Sequence, residues 1–332
     1  QVVWLPEARR EEYLARLREM AQGRPPLPTV VFEGNAPADV RRNHLLAGLL
    51  QAPPAAQPEE AASRRVSPAW LGEAMALTDQ TAALFRRQNG SNVVIVGQQD
   101  TAALGMVGTA VIGLAAQLTP DAAPPTSAFF YVVDGSQAAP PESGLLARLP
   151  DVLPQGVRVT GWRDLPAVLA ELSAELERRQ KAGDGEAPAL YLVLHALQRM
   201  RDLRRSEDLD FMRRGDEPPN ATQQLATLLR EGPALGVHTL IWCDTLNNLQ
   251  RALDRPSLRE LGQRVVLQMS VSDSSNLIDS PLASKLGLHR ALLCSEEDGR
   301  TEKFRPYGPP PEEWLAWVKE RLAERVGAAR VG

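Results

Sequence analysis

Residues 92–117 read NVVIVGQQDTAALGMVGTAVIGLAAQ, and this stretch decides the fold. The run from Val93 to Val96 is continuously apolar, which is typical of a central strand in a parallel sheet. Gly97 follows at once, and an apolar segment of helical length continues to Leu118. A buried strand, a turn at a glycine and a helix are the layout of a phosphate-binding loop.

Downstream of this stretch, apolar runs of strand length alternate with helical patterns. Strands are predicted at 93–96, 127–135, 157–162, 189–197, 237–245, 264–270 and 290–296. Helices are predicted at 6–22, 36–50, 97–118, 165–180, 222–236 and 311–326, with a short strand at 29–34. The charged segment 201–220 is predicted to be a loop. This alternation predicts an α/β fold with a mostly parallel sheet flanked by helices.

Composition divides the chain into three parts. Residues 1–68 are interpreted as a small N-terminal helical and strand extension with a linker, since 52–68 are rich in Ala, Pro and Glu. Residues 69–308 form the main domain, and 309–332 carry a C-terminal helix. The chain opens with Gln1 instead of methionine, so we expect a fragment or processed product of a longer protein.

The overall composition excludes several classes of protein. Of 332 residues, 43% are hydrophobic and 23% charged, which is ordinary for a globular protein, and a net charge of −4 is unlike a self-sufficient nucleic-acid binder. Cys243 and Cys294 are too few for a disulfide scaffold and fit a reducing, cytoplasmic setting. The apolar run 102–118 is interpreted as a buried helix and not a membrane span. Arginine pairs, Arg178-Arg179 among them, are interpreted as solvated faces.

Candidate ligand-binding residues follow the predicted strands. Parallel sheets of α/β proteins bind ligands at the carboxyl ends of their strands. The residues that fall at such ends are Gly97, Asp134, His195, Ala196 and Asp244.

The order of these elements resembles the motor domain of FtsK/SpoIIIE-type DNA translocases, which are RecA-like P-loop ATPases. The resemblance runs from about Trp70 to Tyr307. It is carried by NVVIVGQQDTAALG at the strand and phosphate loop, FFYVVDG at a strand ending in Asp, LYLVLHALQRMRDL at the Walker B strand, and RVVLQMSVSDSSNLIDSPLASKLG. The last segment, with its Ser-Asp-Ser core and Leu-Gly end, is the most distinctive. The resemblance implies a RecA-like fold and a nucleotide site at the first of these segments.

The Walker A segment departs from the family pattern. By resemblance, the phosphate loop comprises Gly97, Gln98, Gln99, Asp100, Thr101, Ala102, Ala103 and Leu104. The family places at Ala103 a lysine that reaches the β and γ phosphates, and at Leu104 a Ser or Thr that binds Mg²⁺. A second register, counted from Gly105, puts Met106 and Val107 there. Neither register supplies a cation or a hydroxyl group.

The Walker B and sensor positions depart as well. Where the family strand ends in Asp-Glu, this chain has His195 and Ala196, so the Mg²⁺ ligand and the residue that positions water are both missing. The family's sensor glutamine corresponds to Asp244. Asp100 places a negative charge in the loop, where it would repel phosphate. We therefore expect a degenerate site with no catalytic residue.

Other polar groups have structural alternatives. A lone histidine such as His195, at the end of an apolar strand, is more often structural than a catalytic base, and His238 and His289 have no acidic partner at metal-ligand spacing. The sequence DTLNN at 244–248 either senses nucleotide or caps the next helix, and we favour the cap. Ser272–Ser275 are likewise expected to cap a helix. No metal site is predicted.

Contacts with neighbouring subunits are suggested by position only. Rings of this family place an arginine on the neighbour's nucleotide, for which Arg251, Arg255 and Arg264 are candidates. Trp314 and Trp317 lie three residues apart on the last predicted helix. We expect them to pack in the core, with docking onto a neighbouring subunit as the alternative.

We expect a catalytically inactive FtsK-like module in the C-terminal part of a larger multi-domain ATPase, acting in ring assembly or regulation in the cytoplasm. The alternative is a domain of an active ATP-driven DNA translocase whose catalysis is supplied elsewhere. No cofactor is expected, and ATP with Mg²⁺ would bind only if another domain supplied the missing groups. A third option is an altered pocket that binds another small ligand, such as an adenine nucleotide without Mg²⁺. Expected partners are neighbouring FtsK-like domains in a ring, for which a hexamer is one option, and DNA through the full assembly.

Overall fold

The computed structural model describes residues 4–21, 35–51, 66–76, 78–118, 123–136, 144–153, 156–204 and 219–329. Of these, residues 327–329 are described as backbone only. The chain divides into two compact units, Gln1–Ala36 and Pro37–Gly332. The first contains helix α1 (Glu7–Met20), whose side chains are exposed along its whole length. The predicted strand at 29–34 lies outside the described residues. Our division at 69 and 309 follows composition and stays a prediction.

The second unit holds a sheet and the helices around it. The strands are β1 (Val66–Ala74), β2 (Thr81–Arg86), β3 (Val93–Val96), β4 (Phe130–Asp134), β5 (Val157–Gly161), β6 (Leu190–His195), β7 (Val237–Cys243), β8 (Gln263–Val266), β9 (Ala291–Ser295) and β10 (Arg300–Pro306). The helices are α2 (His44–Gln51), α3 (Asp100–Ala115), α4 (Leu145–Val152), α5 (Leu165–Ala182), α6 (Ala221–Glu231), α7 (Leu246–Ala252), α8 (Arg255–Arg259), α9 (Val271–Ile278) and α10 (Glu312–Ala329).

These strands form one ten-stranded sheet in the order β2-β1-β10-β9-β8-β3-β7-β6-β4-β5. The strands from β8 to β5 in this order pair in parallel, and the other four extend the sheet antiparallel from β8. The predicted α/β fold with a mostly parallel, helix-flanked sheet is confirmed. Each predicted strand within the described residues is present, although several end a few residues early.

Three strands were missed by sequence analysis. They are β1, β2 and β10, and β1 begins at Val66 inside the segment that we interpreted as a linker. Pro68 and Gly72 interrupt the local pattern of β1, and residues of this kind argue against a strand when read alone. Gly72 lies so close to the backbone of Arg305 that a Cβ would overlap its carbonyl oxygen. Pairing with β10 therefore stabilises a strand that local propensity does not predict.

The predicted helix at 36–50 is broken in the structure. A 3-10 turn, Val40–Arg42, precedes α2, and Asn43 separates the two. The Asn43 side chain is buried, and its Oδ1 accepts a hydrogen bond from the backbone N–H of Leu46 at 2.9 Å. Asn43 thus caps α2, which explains why the helix starts late. Of the predicted loop at 201–220, residues 205–218 lie outside the described part.

The interpretation of the arginine pairs as solvated faces is wrong for Arg179. Its side chain is fully buried, and its Nε donates to the Glu175 carboxylate at 2.8 Å. The two terminal nitrogens donate to the carbonyl oxygens of Leu235 and Pro188. Arg179 therefore ties α5 to the segments that lead into β6 and β7. Arg178 is half-exposed, which agrees better with the interpretation of the pair as part of a solvated face.

Helix α3 is the central helix of the core. Nearly all its residues from Ala102 onward are buried, which confirms that the apolar run 102–118 is a buried helix. Gly105 allows the closest contact, because a Cβ there would overlap the carbonyl oxygen of Tyr307. No helix within the described residues is both long and apolar enough to cross a membrane.

Candidate functional site

The carboxyl ends of four neighbouring parallel strands form the candidate site. Strands β3, β7, β6 and β4 are adjacent in the sheet, so Gly97, Asp244, His195 and Asp134 follow one another along one edge. The register pairs Asp134 directly with His195. The sequence-predicted residues are thus brought together, at the edge where α/β sheets bind ligands.

The connection between β3 and α3 is only three residues long. Strand β3 ends at Val96 and α3 begins at Asp100, which leaves Gly97, Gln98 and Gln99 between them. Gly97 has φ +145°, and a Cβ there would run into the Leu267 side chain. A phosphate-binding loop instead wraps a longer arc of backbone amides around the phosphates before its helix begins.

The first turns of α3 hold the two positions at which the resemblance implies a lysine and a Ser or Thr. Ala103, at the lysine position, is fully buried in the core, and Ala102 is buried as well. Leu104, at the Ser/Thr position, is half-buried. Asp100 and Thr101 are exposed at the helix N-terminus, where an aspartate is favoured by the helix dipole.

His195 and Asp134 form a hydrogen-bonded pair. The distance from His195 Nδ1 to Asp134 Oδ1 is 3.1 Å, and Ser136 donates to the same carboxylate from its backbone N–H and its hydroxyl. Burial raises the pKa of Asp134, but the hydrogen bonds from His195 and Ser136 outweigh burial and hold that pKa below its ordinary value. Asp134 therefore stays ionised beside the imidazole.

The rest of the His195 environment is packed. The ring lies 4.6 Å from the Trp242 ring, centroid to centroid, and Trp242 Nε1 donates to the carbonyl oxygen of Gly97 at 3.1 Å. His195 is 4% exposed, and its Nε2 has no hydrogen-bond partner among the described residues. Ala196, at the position of the family glutamate, is buried with φ +63°.

A cavity of about 330 Å³ opens beside this pair, between the N-terminus of α3 and the ends of β4 and β6. We call it the β6 cavity. The side chains that give it its chemistry are those of Asp100, Thr101, Asp134, His195, Arg199 and Trp242. Leu104 and Leu146 add an apolar wall.

A second cavity of about 200 Å³ lies on the other side of Gly97, at the ends of β7 and β8. We call it the β8 cavity. Asp244 and Asp273 line it. Asp244 Oδ1 accepts hydrogen bonds from the Asn248 side chain at 2.8 Å and the Thr245 hydroxyl at 3.2 Å, so this oxygen is bonded within the turn.

Both helix caps near this cavity can be assigned. Thr245 is the N-cap of α7, with its hydroxyl accepting from the Asn248 N–H, so a capping role for DTLNN is confirmed. For α9 the cap is Ser270, whose hydroxyl accepts from the Asp273 N–H at 3.0 Å. The capping predicted for Ser272–Ser275 was wrong by two residues, because the helix already begins at Val271.

Several sequence candidates lie away from the site. His238 is buried in the core, its Nδ1 lies 3.1 Å from the Ser91 carbonyl oxygen, and burial lowers its pKa to about 4. Arg264 forms an ion pair with Glu296 within the chain, whereas Arg251 and Arg255 are exposed. Among the described residues, no cluster of His, Cys, Asp or Glu could hold a metal ion.

Trp314 and Trp317, for which we expected either core packing or docking onto a neighbouring subunit, differ in burial on α10. Trp314 is buried in the core and Trp317 is half-buried against it. Core packing is therefore the right interpretation for Trp314.

Sequence analysis missed six of the described residues that line the β6 cavity, namely Ser136, Gly144, Leu146, Gln198, Arg199 and Trp242. Ser136 comes two residues after Asp134, and Gln198 and Arg199 follow β6 closely, so their nearness to strand ends was the available signal. Trp242 lies within β7, one residue before its end, and gave no such signal.

No protein-family model matches the chain, and no curated protein matches it. Several solved structures are similar to it. The chain is 19% identical to Thermomonospora curvata EccC (ATPases 2 and 3) in complex with a signal sequence peptide, with a TM-score of 0.58 over 92% of this chain and 53% of that one. It is 17% identical to EssC (ATPases 2 and 3) from Geobacillus thermodenitrificans, with a TM-score of 0.54 over 92% and 52%.

A third similar structure is the pCW3 conjugation coupling protein TcpA, in a monomer form with ATPγS, at 14% identity and a TM-score of 0.53 over 79% of this chain and 70% of that one. The chain spans about half the length of the EssC and EccC structures. The chain has the RecA-like fold of these structures, as the sequence resemblance implied.

Proposed function

We propose that this chain, with its FtsK-like ATPase fold, is a module that does not hydrolyse ATP and acts within a larger multi-domain ATPase. Its role is in ring assembly or in regulation of neighbouring domains. The structures of EssC and EccC that it resembles contain ATPases 2 and 3, and the chain corresponds in length to about half of each. No cofactor is required for such a role.

The burial of Ala103 is the observation that carries this proposal. In the family the corresponding lysine must reach the nucleotide, but Ala103 is fully buried in the core. The connection Gly97–Gln99 is also too short for the arc of amides that holds phosphates. Because one lost preorganised group typically costs about 3–4 kcal/mol of transition-state stabilisation, the loss of several leaves no basis for catalysis.

Electrostatics around the former phosphate position support the same conclusion. Asp100 and Asp134 line the β6 cavity, and Asp244 and Asp273 line the β8 cavity. These four carboxylates stand on both sides of Gly97, where a triphosphate would bring three or four negative charges. Repulsion in a partly desolvated cavity opposes binding more strongly than in water.

An alternative is a domain of an active DNA translocase that works on a site completed by a neighbour. Arg251 and Arg255 favour it, because they are exposed, whereas Arg264 is held in an ion pair with Glu296. In that case DNA would be contacted through the full assembly, and ATP with Mg²⁺ would bind with groups from another domain. A cytoplasmic location fits both versions, since a further similar structure, 18% identical with a TM-score of 0.58, is of the cytoplasmic domain of Thermomonospora curvata EccC.

The test is calorimetric titration of the 332-residue protein with ATP and with a non-hydrolysable analogue, each with and without Mg²⁺, alongside a phosphate-release assay. We expect no binding at millimolar nucleotide and no hydrolysis above background. The Asp100→Asn variant is a matched control, since it removes a negative charge from the first turn of α3 but does not supply a lysine. Magnesium-dependent hydrolysis by the wild-type protein would overturn the proposal.

A further inference from the structure

We propose that the surface formed by Trp162, Arg163 and Arg201 binds an acidic segment of a partner protein, in which at least two Asp or Glu residues lie close together. We call this surface the arginine patch. None of its three residues lines the β6 or the β8 cavity. The inference goes beyond the proposed function, because it holds whether or not the chain hydrolyses ATP.

One aromatic ring brings together two arginines from distant parts of the chain. The guanidinium carbon of Arg163 lies 4.7 Å from the centroid of the Trp162 ring, and that of Arg201 lies 5.6 Å from it. Both distances are within the range over which the face of an indole ring attracts a cation. Trp162 is half-buried, whereas both arginines are exposed. The ring therefore holds two like charges near each other at the surface.

The sheet order explains why these residues meet. Trp162 and Arg163 belong to a 3-10 turn that directly follows β5, and Arg201 begins a 3-10 turn shortly after β6. Strands β5 and β6 lie on either side of β4 and pair with it in parallel, so all three end at the same edge of the sheet. The arginine patch thus stands at the edge where α/β proteins bind their ligands.

The arginine patch has no carboxylate partner of its own. Within the part of the chain that the structure describes, neither Arg163 nor Arg201 forms an ion pair. Other exposed arginines do, and Arg230 with Glu231 is an example. The donors of the two guanidinium groups are therefore available to a ligand.

The geometry of the guanidinium group favours carboxylates. Its N–H donors form a planar fork that pairs with a carboxylate through two parallel hydrogen bonds. Contact with the Trp162 ring restricts Arg163 and Arg201 before binding, so less side-chain freedom is lost when a ligand arrives. Two such groups near one ring match two carboxylates that lie close together in a partner segment.

The surrounding charges favour a short acidic segment over a nucleic acid. Asp164 and Asp202 follow the two arginines directly in sequence and are exposed. A nucleic-acid strand carries a continuous row of phosphates, which would be repelled by these aspartates and by a chain with a net charge of −4. A short protein segment can place its carboxylates on the arginines alone.

The experiment compares two peptides that differ only in charge, one of alternating Glu and Ser residues and one in which Gln replaces Glu. Both are titrated into the wild-type chain by calorimetry, and the indole N–H signal of Trp162 is followed by NMR. We expect saturable binding of the Glu peptide at about 1 mM or tighter in low salt, and binding of the Gln peptide at least about tenfold weaker. Raising NaCl from about 50 mM to about 300 mM should weaken binding at least about threefold, because the contacts are exposed to solvent.

Matched variants localise the binding. Arg201→Gln should weaken binding of the Glu peptide about fivefold, as expected for the loss of one exposed charge pair. Arg251→Gln is the control, since it removes the same charge from an exposed position on α7, and it should leave the affinity unchanged. Trp162→Leu keeps both arginines and removes the ring that positions them, and it should weaken binding about twofold or more.

Equal binding of the two peptides, equal effects of Arg201→Gln and Arg251→Gln, or no binding of the Glu peptide at about 10 mM would each overturn the inference. Wild-type affinity in a folded Trp162→Leu variant would also contradict it. A thymidine oligonucleotide with the same number of negative charges is titrated in the same series. If it binds more tightly than the Glu peptide and Arg201→Gln abolishes that binding, the arginine patch serves nucleic acid and the inference is wrong.

Discussion

His195 and Asp134 meet across two neighbouring parallel strands, with the imidazole Nδ1 3.1 Å from the carboxylate Oδ1. They are 61 residues apart in sequence, so the contact depends entirely on the pairing of β4 with β6. By the sequence resemblance, His195 stands where the family strand ends in an acidic residue, and the contact with Asp134 holds the imidazole in a fixed orientation. Its ionisation links the candidate site to the stability of the fold.

Stability should therefore depend on pH through Asp134. Its pKa is lower in the folded protein than in the unfolded chain, so the unfolded chain binds more protons in acid. The resulting stabilisation is fully present above the unfolded pKa of about 3.9 and is lost as the pH falls through the folded pKa. The stability difference between wild type and Asp134→Asn should be constant near neutral pH and shrink below about pH 5.

Urea unfolding of both proteins from pH 7 down to about pH 3 measures this difference. Asp100 and Arg199, which line the same cavity, are unchanged in the variant, whereas His195 loses the carboxylate that it contacts. A difference that stays constant over the whole range would show that Asp134 does not contribute through its charge.

The buried ion pair of Arg179 should be essential for stability. Arg179→Met removes a guanidinium that satisfies Glu175 and two backbone carbonyl groups, all of which are buried or partly buried. We expect a loss of about 3–5 kcal/mol in the free energy of unfolding, as for one partner removed from a buried pair.

The neighbouring Arg178→Met is the matched control for that measurement. Arg178 also contacts Glu175, but its side chain is half-exposed and should contribute far less. Chemical denaturation of the two variants compares them directly. Equal losses would mean that burial does not determine what each arginine contributes.

Gly105 should be required by packing and not by phosphate. Gly105→Ala places a Cβ against the carbonyl oxygen of Tyr307, and we expect destabilisation of about 1–3 kcal/mol. Gly48→Ala in α2 is the control, because nothing lies within 4 Å of its added Cβ and alanine is the better helix former. The free energy of unfolding of this control variant should increase by about 0.5–1 kcal/mol. If both variants behave alike in thermal unfolding, close packing at Gly105 is not the reason for the glycine.

Introducing at position 103 the lysine that the resemblance implies should not create nucleotide binding. Ala103→Lys puts an ammonium group into the core, and we expect destabilisation of at least about 3 kcal/mol with no gain in ATP affinity. Thr101→Lys adds the same charge at an exposed position of the same helix and should be tolerated. Thermal unfolding and ATP titration of both variants provide the test, and tight ATP binding by Ala103→Lys would contradict the buried orientation of residue 103.

The predictable part of the fold lies in its parallel half. Continuous apolar runs such as Val93–Val96 identify strands that are buried on both faces, and their order along the chain indicates the α/β class. The antiparallel strands β1, β2 and β10 could not be predicted in this way. Their pairing partners are distant in sequence, and residues such as Gly72 make sense only beside the backbone that they contact.

For the candidate site, too, one part could be predicted from the sequence and another part could not. The sequence by itself determined that Ala103 and Leu104 supply neither a cation nor a hydroxyl, and that His195 and Ala196 stand at the end of an apolar strand, because residue identity is local information. Only the tertiary structure decided that α3 begins at Asp100 and that Ala103 faces the core. Each residue turns a helix by about 100°, so the starting point and the packing of α3 fix which side chains are buried. The contact of His195 with Asp134 likewise depends on strand register, which the two segments acquire only by pairing.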